Sequence, residues 1–304
     1  MKKCWNIVSG KIEAAESEPC AVTVFYDPDE GEKRFLTTER KIDEHTLQSA
    51  LDPDELARLE FEPDHTALIF KRPKHYSKDD EFVFRTASTG VFLFADSLII
   101  VVSEEAPLFD RAKAPRLTTS RSVLLQLIYR SIFHFRDHLR IMSSISDDIQ
   151  NKVNRAMENR SLINLFALQK SLVYYLDAIG SNAALIEKLK HTKDKIGFTP
   201  EEMETLDDIS VENAQCYKQA EIYSNILVSL MDARASIVSN NLNVLMKNLT
   251  LITIGIMVPT FVVSAFSMNV PIPLSRHPLG FYIIMSLAFL SVLVFIYLFK
   301  RRRL

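Results

Sequence analysis

Residues 249–270 read LTLITIGIMVPTFVVSAFSMNV, an uncharged apolar segment that ends in Ser267, Met268 and Asn269. A second uncharged segment follows at 281–299 and leads directly into Lys300 and three arginines. A helix needs roughly 17–25 apolar residues to cross the hydrocarbon core of a bilayer, and each segment is about that long. The order predicts a transmembrane hairpin at 249–304, with spans at about 249–268 and 279–299. A buried helical hairpin in a soluble protein is the alternative, and the basic stop disfavours it.

Charge is divided unevenly along the chain. From residue 247 onward there are six basic residues and no Asp or Glu, which leaves 30 basic and 38 acidic residues before it. Because basic segments stay on the cytosolic side of a membrane, the tail predicts a cytosolic C-terminus, and two spans return the N-terminal part to the same side. The three cysteines are far apart and odd in number, as expected of reduced cytosolic thiols. We therefore expect a multi-pass protein of the cell membrane with both termini in the cytosol.

The first 115 residues mix strand and helix signals, and they predict a cytosolic α/β domain. Runs of β-branched and aromatic residues predict strands at 21–26, 66–70 and 82–85, and a hairpin formed by 90–94 and 97–102. Asp52 directly before Pro53 predicts the start of a helix. The stretch 107–115 begins and ends with proline and is interpreted as a linker.

Helical periodicity takes over in the middle of the chain and predicts a helical layer at 116–198, broken near Gly180-Ser181-Asn182. Thr199-Pro200-Glu201-Glu202 combines an N-cap, a proline in the first turn and a capping-box acid. No glycine or proline follows until Gly255, which predicts a stalk helix at 199–248 that continues into the membrane. If that helix reaches residue 266 it is roughly 100 Å long. The expected fold is an α+β cytosolic domain with a helical layer, a long stalk helix and two C-terminal transmembrane helices.

A polar stripe runs along the stalk and the first span. Its members recur at alternating spacings of four and three residues, which places them on one helix face. The polar stripe consists of Asp232, Ser236, Ser239, Asn243, Met246, Thr250, Thr253, Met257, Thr260, Ser264 and Ser267. Such a stripe indicates either a packing seam between helices or a water-filled pore. One helix cannot enclose a pore, so the pore interpretation requires several copies with the stripe facing inward.

The chemistry of the stripe indicates what such a pore would pass. Hydroxyls, amides and thioethers suit hydrogen bonding to the waters of an intact hydrated ion, and Mg²⁺ releases its waters reluctantly. We expect Asn269 to form a ring of amide oxygens at the outer mouth, and Asp232 to attract cations at the inner end. Met246, Leu249 and Met257 are predicted to form apolar constrictions, with ordinary packing as the alternative role.

The same residues resemble the CorA-type magnesium transporter family. The resemblance rests on NVLMKNLT at 243–250, on Pro259-Thr260-Phe261, and on Met268-Asn269 followed by a span and a basic tail. It implies a funnel-shaped homopentamer whose first span lines the pore, with Ser267, Met268 and Asn269 forming the selectivity loop. The channel-lining residues that it implies are Asn243, Met246, Leu249, Thr253, Met257 and Thr260. The resemblance also implies regulatory Mg²⁺ sites between cytosolic domains, for which Asp207 and Asp208 are the candidates.

This chain departs from the family signature Gly-Met-Asn, because Ser267 stands in place of the glycine. Serine resists some backbone conformations that glycine adopts, so the sequence does not decide which ion the protein prefers. Mg²⁺ uptake is the first hypothesis, and transport of Zn²⁺, Co²⁺ or Ni²⁺ through the same architecture is the second. A third is a membrane-anchored scaffold or sensor whose spans only tether it.

Signals for catalysis are missing from the sequence. Seven glycines leave little room for a glycine-rich phosphate loop, and no nucleophile–base arrangement stands out. His134 and His138 are four residues apart on a predicted helix, and they are interpreted as a surface or packed pair because no Glu-x-x-His context supports a metal clamp. We expect neither an enzyme nor a cofactor, apart from Mg²⁺ as the transported and regulatory ion. The predicted partners are copies of the chain, the lipid bilayer and divalent cations, but not nucleic acid.

Overall fold

Seven strands near the N-terminus form one mixed sheet in the order β2-β1-β3-β7-β6-β5-β4. All neighbouring strands are antiparallel except β3 and β7, which run parallel. The strands are β1 (Lys2–Val8), β2 (Lys11–Ala15), β3 (Val22–Tyr26), β4 (Arg58–Phe61), β5 (Thr66–Pro73), β6 (Thr86–Leu93) and β7 (Leu98–Val102). The computed structural model describes residues 1–15, 19–76, 82–109, 117–153, 159–268 and 277–302. It divides into two compact units, Met1–Met231 and Asp232–Leu304.

Both faces of the central strands are buried, since alternate residues of each strand contribute to different cores. In β7, Leu98, Ile100 and Val102 face one core while Ile99 and Val101 face the other. The smaller core lies under a π-helical turn (Phe35–Glu39), which directly follows α1 (Glu30–Arg34), and under α2 (Glu44–Leu51). The larger core lies under α3 (Ser120–Val153), α4 (Asn159–His191) and the first part of α6 (Pro200–Phe266), and α5 (Lys193–Ile196) connects the last two. Strands covered on both sides read as nearly continuous apolar runs, which is why they were recognisable in the sequence.

The strand predictions at 21–26 and 66–70 and the hairpin are confirmed, and two other local predictions are wrong. The hairpin closes with a hydrogen bond from the Phe94 amide to the Ser97 carbonyl at 2.9 Å. Residues 82–85 form no strand, because Phe82 adopts φ of 68° and turns the chain. Asp52 does not begin a helix but ends α2, and its carboxylate accepts a hydrogen bond from the Asp54 amide at 2.9 Å. The predicted linker at 107–115 lies partly outside the described residues.

The predicted helix break at Gly180-Ser181-Asn182 is also wrong, since α4 runs through it. Asn182 instead seals one edge of the sheet. Strand β4 pairs with β5 only as far as Ile69. On that side of β5, the backbone amide and carbonyl of Lys71 therefore have no neighbouring strand to pair with. There the Asn182 side chain accepts from the Lys71 amide at 2.8 Å and donates to the Lys71 carbonyl at 2.9 Å. Asn182 is completely buried and takes the place of a missing strand neighbour.

Helix α6 begins as predicted and is 67 residues long. The Thr199 amide donates to the Glu202 carboxylate at 2.8 Å, and the Glu202 amide donates to the Thr199 hydroxyl at 3.2 Å, which is the complete capping box. The helix continues through Pro259 to Phe266. The predicted domain boundaries at 115, 198 and 248 stay predictions.

The second unit contains the end of α6 together with α7 (Gly280–Arg302). Both helices are long and apolar enough to cross a membrane, and their apolar windows are almost entirely exposed. The core helix of a soluble protein would be buried, so exposure favours lipid as the surroundings of these two helices.

Candidate functional site

Every residue of the polar stripe is exposed, from Asp232 on α6 to Ser267 directly after its end. The half-buried residues of the span lie on a different face: Leu251, Gly255, Val258, Pro259, Val262, Ala265 and Phe266. At about 100° per residue, the centres of these two faces are roughly half a turn apart. The span therefore has a packed face and, opposite to it, a polar face that no described part of the chain covers.

Helix α7 covers the packed face. A Cβ atom added to Gly255 would lie 3.7 Å from the Phe295 ring, an ordinary van der Waals distance. The less exposed residues of α7 also fall on one helix face, which includes the buried Ala288. The pairing with α7 thus orients α6 so that the polar stripe points away from the hairpin.

Four hydroxyls of the stripe donate their protons to the backbone of their own helix. The bonds run from Thr250 to the Met246 carbonyl at 2.8 Å, from Thr253 to the Leu249 carbonyl at 2.9 Å, from Thr260 to the Ile256 carbonyl at 2.7 Å and from Ser267 to the Ser264 carbonyl at 2.9 Å. A hydroxyl has one proton and two lone pairs, so an oxygen bonded in this way presents an acceptor to its surroundings. The stripe therefore offers acceptors, which match the outward-pointing hydrogens of a hydrated cation.

Large apolar side chains accompany the stripe. Met246, Leu249 and Met257, the predicted constrictions, are about 60% exposed, at 60%, 59% and 64%. Below the span, Leu242 and Leu245 are 57% and 64% exposed, on a segment expected to lie in water. Exposed leucines in water favour association with another surface.

The predicted selectivity loop is described only in part. Ser267 and Met268 end the first span and are exposed, while Asn269 and residues 270–276 lie outside the described residues. Ser267 is not among the described non-glycine residues with positive φ. Its position in this chain therefore does not need the conformational freedom of glycine.

The candidate regulatory aspartates both lie on the exposed side of α6. Asp207 forms an ion pair with Lys190, with 2.9 Å between carboxylate oxygen and ammonium nitrogen. Within the described parts of one chain, no three His, Cys, Asp or Glu side chains are grouped so as to hold a metal ion. The roles of Asp207, Asp208 and the other predicted site residues stay predictions.

The two histidines, His134 and His138, are packed and do not form an exposed metal-binding pair. His138 is 5% exposed, and its Nδ1 lies 2.6 Å from the hydroxyl of Tyr175, a partner on α4 that spacing along α3 could not indicate. Burial lowers the pKa of His138 to about 3, and burial with the nearby Arg72 charge lowers the pKa of His134 to about 4. Both rings are neutral at physiological pH, and His138 is buried in the first unit while His134 is half-buried.

Comparison with known proteins agrees with this architecture. Residues 23–302 match the family described as CorA-like Mg²⁺ transporter protein. The cobalt/magnesium transport protein CorA of Methanocaldococcus jannaschii is 27% identical over 288 residues, which cover 91% of this chain and 88% of that protein.

Solved structures that resemble the fold include two proteins of known source. The complete CorA magnesium transporter of Methanocaldococcus jannaschii has a TM-score of 0.83 at 23% identity, covering 99% of this chain and 96% of that one. The cytoplasmic domain of ZntB from Vibrio parahaemolyticus has a TM-score of 0.59 at 14% identity, covering 79% and 98%. At these identities the likeness concerns the fold alone. The match over nearly the whole chain, with the two exposed spans, shows that the chain belongs to the CorA-like Mg²⁺ transporter family and is a divalent-cation transporter of the membrane, not an enzyme.

Proposed function

We propose that the chain moves Mg²⁺ down its electrochemical gradient through a pore lined by the polar stripe of five α6 helices. The observation that carries the proposal is the position of the stripe, which is exposed along its length and lies opposite the face that packs against α7. With α7 outside, an inward-facing stripe leaves lipid in contact mainly with apolar side chains. This arrangement would hide the polar residues from lipid, where they are costly.

Assembly into a ring is supported by the apolar residues beside the stripe. Ile237, Leu242 and Leu245 are at least half exposed on the segment of α6 that precedes the span. Packing against the same helix of a neighbouring copy would remove them from water. The alternating spacing of four and three residues averages 3.5, the period that favours a left-handed supercoil of several helices.

Passage of a hydrated ion fits the hydrogen bonding of the stripe. Mg²⁺ keeps its waters, and those waters point their hydrogens outward. Because Thr250, Thr253 and Thr260 use their own protons on backbone carbonyls, their oxygens are left to accept from these waters. Anions orient their waters the opposite way, so the same lining disfavours them without a fixed charge.

The remaining sites complete the proposed path. Asn269 forms the outer amide ring, Met246, Leu249 and Met257 narrow the pore, and Asp232 attracts cations at the inner end. Asp207 or Asp208 binds Mg²⁺ between cytosolic units and holds the pore closed when the ion is abundant.

Flux into proteoliposomes tests the proposal. The parent protein should carry Mg²⁺, and Thr253→Val should lower the flux by about tenfold, since one hydrogen bond of about 1.4 kcal/mol corresponds to that factor. Thr253→Ser keeps the oxygen and should keep most of the flux. Ser291→Ala is the matched control, because it removes a hydroxyl that donates to the Ala288 carbonyl on α7, away from the stripe.

Two outcomes would contradict the proposal. One is a monomer or dimer in mild detergent, measured by native mass spectrometry, because neither can enclose a pore. The other is equal loss of flux in Thr253→Val and Ser291→Ala, which would indicate damage to the hairpin and not to a pore. Competition by Co²⁺ in the same assay decides the preferred ion, and stronger competition than by Mg²⁺ itself would favour the cobalt alternative.

A further inference from the structure

Basic residues of both membrane helices lie at the same level of the hairpin. The contact between Gly255 and Phe295 fixes the register of α6 and α7. Lys247 precedes Gly255 by about 12 Å along α6, while Lys300 and Arg301 follow Phe295 by about 8–9 Å along α7, at about 1.5 Å per residue. Because the helices run in opposite directions, these three side chains come within about one helical turn of the same height. We call these three residues the basic rim.

Acidic side chains are absent from the part of the sequence that forms this rim. No Asp or Glu occurs from Lys247 onward. Lys247, Lys300 and Arg301 are exposed, and none of them forms an ion pair within the part of the chain that the structure describes. A cluster of like charges repels itself, so an external anion at this position would lower its electrostatic energy.

The rim also lies where lipid headgroups are expected. The uncharged residues 281–299 of α7 span about 28 Å, close to the thickness of a hydrocarbon core. Tyr282 and Tyr297 are 67% and 64% exposed near the two ends of this stretch, as in the aromatic belts that mark membrane interfaces. Tyr297 lies one turn before Lys300, which places the ammonium and guanidinium groups just outside the hydrocarbon.

We propose that the basic rim binds the phosphate groups of anionic phospholipids in the cytosolic leaflet. Guanidinium groups bind phosphate with two parallel hydrogen bonds, and the lysines add charge from α6 and α7. A lipid headgroup is favoured over free phosphate because its acyl chains lie against the apolar faces directly above the rim. The binding is independent of the transport proposed above and holds even if no ion passes.

Lipid binding to the purified full chain tests this directly. In mild detergent, phosphatidylglycerol and phosphatidylcholine are titrated in turn, and bound lipid is counted by native mass spectrometry. The parent should prefer phosphatidylglycerol, and each basic residue removed should lower that preference roughly fivefold. The variants are Lys300→Gln with Arg301→Gln, and separately Lys247→Gln, which tests the contribution of α6.

Two controls separate charge from structure. Arg301→Lys keeps the charge and should keep most of the preference, whereas Lys193→Gln removes an exposed charge from the first unit and should have no effect. An unchanged preference in both Gln variants would overturn the proposal. Displacement of phosphatidylglycerol by millimolar inorganic phosphate would also overturn it, because the site would then be specific for the free anion.

Discussion

Acidification should destabilise the first unit through its buried histidines. His138 and His134 have pKa values lowered to about 3 and about 4, chiefly by burial, against 6.5 for an ordinary histidine. Above pH 6.5 both rings are neutral in the folded and unfolded chain, so they add no pH dependence. Below pH 6.5 the two histidines are protonated in the unfolded chain but not yet in the folded chain. The free energy of unfolding therefore falls as the pH falls towards the folded pKa values.

The size of the effect follows from the difference between the folded and unfolded pKa. At pH 5 a histidine that ionises only after unfolding lowers the free energy of unfolding by about 2 kcal/mol, at 1.36 kcal/mol for each pH unit below 6.5. His138 should contribute nearly the full loss in the free energy of unfolding. The half-buried His134 should contribute less, because solvent screens its charge. Together they should cost about 2–4 kcal/mol between pH 7.5 and pH 5.

Trp5 provides the assay, because it is the single tryptophan and lies in β1. Its fluorescence during thermal unfolding of the full chain reports on the first unit alone. In the double variant His134→Gln with His138→Gln, the difference between pH 7.5 and pH 5 should shrink by most of that amount. His45→Gln, at an exposed position, is the control. The same pH difference in parent and double variant would refute the reasoning.

Three further changes test the packing of the first unit. Gly90→Ala should destabilise it by about 1–3 kcal/mol, because the new Cβ would clash with the Ala50 Cβ. Ala50→Gly in the same chain should restore part of the loss in the fluorescence assay. Asn182→Ala should leave the buried Lys71 amide unpaired at a cost of about 1–3 kcal/mol, detected as faster hydrogen exchange at that amide; unchanged exchange would contradict the edge-sealing role. Thr199→Ala should cost about 1 kcal/mol by removing the helix cap, and no change in thermal unfolding would contradict it.

Local sequence patterns were enough to predict the structure wherever the interacting groups are neighbours along the chain. The capping box joins Thr199 to a residue three positions on, and the stripe repeats within two turns of helix, so both could be predicted from spacing. The membrane hairpin could also be predicted from the sequence, since a long uncharged apolar segment is typical of a membrane span.

The local predictions that were wrong concern residues whose interaction partners are distant in the sequence. Gly180-Ser181-Asn182 has the composition of a break, yet Ser181 and Asn182 accept hydrogen bonds from the amides of Ala57 and Lys71, at 2.6 and 2.8 Å. Asp52 has the residue type of an N-cap, and only the packing of α2 on the sheet reveals that it ends a helix. The Tyr175 hydroxyl beside His138 was missed for the same reason.

The sealing of strand β5 by α4 has a consequence for synthesis on the ribosome. Lys71 and Asn182 are separated by 111 positions. At translation rates of about 5–20 residues per second, the strand edge waits roughly 6–22 s for the side chain that covers it. An open edge is a template for pairing with other nascent chains. Slow codons between these positions should therefore raise the aggregated fraction, although the finished polypeptide would be identical.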